Sequence, residues 1–72
     1  MNETHEPGTY IIRIKGHLSQ QSATRFEGMT IVLTENGETH LTGRIIDQAA
    51  LHGLLRTIRD TGLELVSVNR EE

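Results

Sequence analysis

MTIVLTENGETHLTGRII, residues 29–46, holds a chain reversal at its centre. Met29, Ile31 and Leu33 alternate with Thr30, Val32 and Thr34, the two-residue period of a strand with one face toward a core. Beyond Asn36-Gly37, Thr39, Leu41, Gly43 and Ile45 alternate in the same way with His40, Thr42 and Arg44. An Asn-Gly pair between two such runs is suited to the two positive φ angles of a type I′ turn. The segment is expected to fold as an antiparallel hairpin.

The flanks add one strand and one helix on each side. In TYIIRIKG, residues 9–16, Tyr10, Ile12 and Ile14 should face the core, with Ile11, Arg13 and Lys15 on the opposite face. HLSQQSATRFEG, residues 17–28, offers Ser19 as N-cap, Leu18 to pack back on the first turn, Phe26 as anchor and Gly28 as αL stop. A helix of about two turns is expected there. DQAALHGLLRTIRDTGLELVSV, residues 47–68, starts with the cap Asp47 and runs an apolar stripe through Leu51, Leu54, Leu55 and Ile58. Arg56 and Arg59 suit the negative end of the helix dipole, Gly62 is placed to terminate the helix, and Leu63 follows to close over it. LELVSV reads as a last strand and NREE as a charged tail, while MNETHEPG, residues 1–8, reads as a disordered tail.

The element order is β-α-β-β-α-β within a single α+β domain spanning residues 9–70. Right-handed crossovers around a central hairpin give the ferredoxin-like plan: a four-stranded antiparallel sheet, order 4-1-3-2, with two helices on one face.

A chain of 72 residues builds one core, and a chain this small buries only about 60% of its unfolded surface. It has no cysteine, so neither a disulfide nor a thiol nucleophile is possible. Good local packing or self-association is the remaining support, and a homodimer is expected. A net charge of −3 and only two aromatics, Tyr10 and Phe26, speak against a general nucleic-acid binder. No apolar run approaches the roughly 20 residues of a membrane span and no signal peptide is visible, so a cytoplasmic location away from membranes is expected.

Gly16-His17-Leu18, Phe26-Glu27-Gly28, Leu41-Thr42-Gly43 and Asp47-Gln48-Ala49-Ala50-Leu51-His52-Gly53-Leu54-Leu55 together resemble a widespread family of small uncharacterised bacterial proteins. The resemblance covers about residues 10–70 and implies a fold but no reaction. Ala23 and Arg25 depart from it, since tryptophan is common in that first helix. The run from Leu54 to Val68 is also similar to ACT-type ligand-sensing domains, which implies dimerisation and a small-molecule or anion site near Gly16, Gly43 or Gly62.

The open sheet face gathers Ile11, Arg13, Lys15, Val32, His40, Thr42 and Arg44, read as a basic centre with apolar members. It is the first candidate surface, for a second copy, a protein partner or an anion; Arg13, Lys15, His40 and Arg44 are what a nucleic acid would meet. His52, Arg56 and Arg59 share a flank of the second helix at spacings that suit an anion. Gly53, costly inside a helix, is read as a point of close approach by another backbone, either the first helix or a partner chain. No catalytic residue, cofactor or metal site is expected: His17, His40 and His52 should not converge, and Gly16-His17-Leu18-Ser19 lacks the Val-Gln-Gly-Val run of acylphosphatases. The expected function is a non-enzymatic interaction module, homodimeric through the open sheet face or a sheet edge.

Overall fold

The computed structural model describes residues 8–71, and residues 1–7, which carry most of the expected tail, lie outside them with Glu72. The elements are β1 (Gly8–Lys15), α1 (Gln20–Ala23), a 3-10 turn (Thr24–Phe26), β2 (Thr30–Leu33), β3 (Glu38–Ile45), α2 (Gln48–Thr61) and β4 (Glu64–Glu71). They form an α+β fold around one four-stranded antiparallel sheet, ordered β2-β3-β1-β4. Counted from β2 the order is therefore 2-3-1-4; the expected 4-1-3-2 was numbered from the β4 edge. Gly8 already belongs to β1, opposite Ile45, and β4 runs through three of the four residues read as a tail, Asn69 to Glu71.

Alternation sets the two faces as the sequence requires. Tyr10, Ile12 and Ile14 are buried on β1, and Thr39, Leu41 and Ile45 on β3. Ile12, Ile14 and Leu41 form one cluster with Leu18, Phe26 of the 3-10 turn and Ile58 of α2. Both helical segments thus cover the same sheet face. Met29, Ile31, Leu54, Leu55, Leu63 and Val68 pack around that cluster half-buried. Leu33, in phase with Ile31, stays 51% exposed because β2 is the edge and nothing overlies its end.

Three local expectations are corrected. The first helix is one α-turn closed by a 3-10 turn, because between the Ser19 cap and Gly28 only Phe26 is a large apolar residue, and α1 itself buries none. Ser19 does cap it, its Oγ accepting the Ser22 N–H at 3.1 Å. The hairpin does reverse at Asn36-Gly37, but only Gly37 has positive φ, 88°, so the turn is not type I′. Thr34 N–H donates to the Glu38 carbonyl at 2.8 Å and Gly37 N–H to the Thr34 carbonyl at 3.2 Å. This is a three-residue loop, Glu35 to Gly37, closed by a glycine of positive φ. The third correction concerns Gly53: among the described residues a Cβ there would meet no atom within 4 Å, so the first helix does not approach it, and of the two expected neighbours only a partner chain is left.

α2 ends as its sequence directs. Asp47 Oδ1 accepts the Ala50 N–H at 2.7 Å, and Gly62 adopts φ 82°. Leu63 turns back against Gly16, where an added Cβ would lie 3.2 Å from it. The β1–α1 connection is held from below by Thr39, fully buried, whose Oγ1 accepts the Leu18 N–H (3.1 Å) and donates to the Gly16 carbonyl (2.7 Å).

Candidate functional site

Cross-strand register assembles the sheet face that the helices leave uncovered. One row runs Val32, His40, Arg13, Ser67 from β2 to β4, and the next runs Thr30, Thr42, Ile11, Asn69. Beyond the first row, Glu38 stands opposite Lys15 and Lys15 opposite Glu64; beyond the second, Arg44 stands opposite Thr9 and Thr9 opposite Glu71. The seven expected residues, Ile11, Arg13, Lys15, Val32, His40, Thr42 and Arg44, do share this face. Across β1 and β3, Ile11 pairs with Thr42 and Arg13 with His40, while Lys15 stands opposite Glu38.

Glu38 is the residue missed, and it changes the electrostatics. Arg13 donates to it through two nitrogens, Nε to Oε1 at 3.1 Å and Nη2 to Oε2 at 3.0 Å, while His40 Nε2 lies 3.0 Å from Oε1. The paired hydrogen bonds from the Arg13 guanidinium, then that from His40, hold the Glu38 carboxyl below its ordinary value, and Glu38 in turn raises Arg13. Glu64 and Glu71 add negative charge at the β4 side. The face is therefore a charge-balanced surface and not a basic centre. Its alternation of sign also removes the continuous positive track that a nucleic-acid backbone would follow.

Ser67, opposite Arg13, buries its hydroxyl without a hydrogen-bond partner. It follows a register shift in β4: Ile14 pairs with Leu65 and Arg13 with Ser67, so Val66 bulges out between them.

The other candidates disperse. His52, Arg56 and Arg59 all lie exposed along α2, and Arg59 Nε sits 3.6 Å from Asp60 Oδ1. His17 holds the hairpin end through Nε2 and the Thr34 carbonyl at 2.8 Å. Among the described residues no cluster of three His, Cys, Asp or Glu side chains can hold a metal ion, and no pocket is present. A Cβ at Gly16 would meet Leu63 and one at Gly43 would meet Met29, while at Gly62 it would meet no described atom within 4 Å. No helix among the described residues is long and apolar enough to cross a membrane.

Residues 9–69, nearly the whole sheet and both helices, match the family model described as Domain of unknown function (DUF8691). The chain belongs to the DUF8691 family. No curated protein and no solved structure matches it. DUF8691 membership agrees with the resemblance to an uncharacterised family, while the detailed Gly-His-Leu to Leu-Leu pattern and the ACT likeness lie outside what that match shows.

Proposed function

We propose that this DUF8691 domain is a non-enzymatic interaction module that associates with a second copy of itself through its open sheet face or a sheet edge. The carrying observation is the ratio of inside to outside. Among the described residues eight hydrophobic side chains form the buried core, and five large ones, Val32, Leu33, Ile46, Leu65 and Val66, remain 42 to 62% exposed. A core that small leaves little margin for stability, and exposed apolar groups of that size gain most from being covered. The alternating charges of the sheet face favour a mate carrying the same alternation, because each Arg or Lys then finds a Glu across a two-fold axis. The element order and one-sided helical layer support a ferredoxin-like plan, and the family resemblance supports a bacterial protein.

Light scattering or sedimentation at micromolar to millimolar concentration tests this. The expected result is a mass approaching twice the 8.1 kDa of the chain as concentration rises. A single-chain mass throughout overturns the proposal.

A further inference from the structure

We propose that β2 pairs antiparallel with β2 of a second copy, centred on Val32, so that two sheets become one continuous sheet. This deepens the self-association proposed above and rests on it, committing it to one edge and one register.

Among the described residues β2 and β4 are the two edges of the sheet, and they are built differently. β4 carries the devices that keep an edge from pairing: the bulge at Val66, with Glu64, Arg70 and Glu71 at its ends. β2 carries none except brevity. From Met29 through Thr34 there is no charged residue and no proline, and every residue but Met29 is β-branched or leucine. Val32 and Leu33 are each about half exposed, at 50% and 51%. An uncharged, apolar, unbulged edge is the kind that recruits another strand.

The ladder phase selects the register. Thr34 N–H donates to Glu38 at the hairpin end, so the hydrogen-bonded pairs of β2 with β3 fall on Thr34, Val32 and Thr30. Ile31 and Leu33 then turn their N–H and C=O groups to the free edge. A two-fold axis through Val32 sets Ile31 against Leu33 of the second copy, and Leu33 against its Ile31, making four main-chain hydrogen bonds. Thr30 falls opposite Thr34 of the second copy. Each side chain lands on its own kind of face: Leu33 gains Ile31 on the helix side, Val32 gains Val32 on the open side, and no charges meet. Centring on Ile31 instead would require the Met29 N–H, which is already donated to the Phe26 carbonyl at 3.1 Å. A second copy is the occupant because the segment is complementary to itself at every opposed position.

The chain has no cysteine, so single introduced thiols report the register. Across the axis two Val32 Cα atoms form a non-hydrogen-bonded pair about 4.5 Å apart, within disulfide reach. Two Thr30 Cα atoms would lie about 14 Å apart at the rise of an extended strand. Under mild oxidation with glutathione disulfide, Val32→Cys should form covalent dimers at least tenfold faster than Thr30→Cys. Equal rates, or a faster Thr30→Cys, overturn the register. Leu33→Pro removes an outward N–H and leaves the β3 ladder intact, so it should be folded by circular dichroism and monomeric by sedimentation. Leu33→Lys tests the same edge without touching the backbone, and it too should be monomeric. If the wild type is dimeric and these variants remain so, the β2 edge is excluded while self-association stands; a monomeric wild type removes both.

Discussion

Thr39 carries more of the structure than its size suggests. Its side chain is fully buried, and both its hydrogen bonds go to the connection between β1 and α1. Thr39→Val keeps the shape but strands the Leu18 N–H and the Gly16 carbonyl, so it should cost about 1–3 kcal/mol, read as a lower urea midpoint. Glu38 gives a pH signature instead. Its carboxyl titrates below 4.5 in the folded chain, so its stabilising effect is complete above that value and is lost as pH falls through the depressed one. Wild type should therefore be more stable than Glu38→Gln at pH 7, and the gap should close on acidification below pH 4.5. Equal urea midpoints at neutral pH would exclude the role assigned to this carboxylate. Alternation alone places Thr39 inside and Glu38 outside. Apart from His40, their partners lie more than 20 residues upstream, and only the β1–β3 register reveals them.

The hairpin and α2 were the most legible elements, because each has both a periodic interior and chemical punctuation. Met29 to Ile45 gave the alternation and the reversal. The loop type depended on whether Thr34 and Glu38 pair, which adds one residue and relieves Asn36 of positive φ. α1 was over-read: Ser19 and Gly28 mark its ends, yet between them only Phe26 is buried, and caps without a stripe do not make a two-turn helix. In α2 the stripe is real but only Ile58 is fully buried, while Leu54 and Leu55 lie half-covered. Gly53 interrupts this helix with open space above it. Gly53→Ala should therefore raise stability by about 1 kcal/mol, seen as a higher urea midpoint. It should leave the sedimenting mass unchanged, since the proposed contact lies at β2; a shift to monomer would place α2 in the interface.

For the molecule as a whole, folding and association are expected to be coupled. A domain with so small a core gains stability by mass action when a second copy binds only the folded form. Its melting temperature should rise roughly a few degrees per tenfold increase in concentration once dimers dominate. A concentration-independent value by calorimetry would contradict the proposed dimer. The one-sided plan was readable from strand parity, but which edge is guarded was not, since the Val66 bulge leaves no mark in the alternation of LELVSV. The position of β1 also has a kinetic consequence. It is the sheet's spine, yet its partners are formed later in the chain, and the Thr9–Glu71 pairing closes a loop of nearly all the described residues. Refolding should be slow for so short a polypeptide, because distant ends must find each other before that ladder can zip. Until β4 docks, the Tyr10–Ile14 backbone stands unprotected on that flank, and this transient species is where misassembly at high concentration would begin.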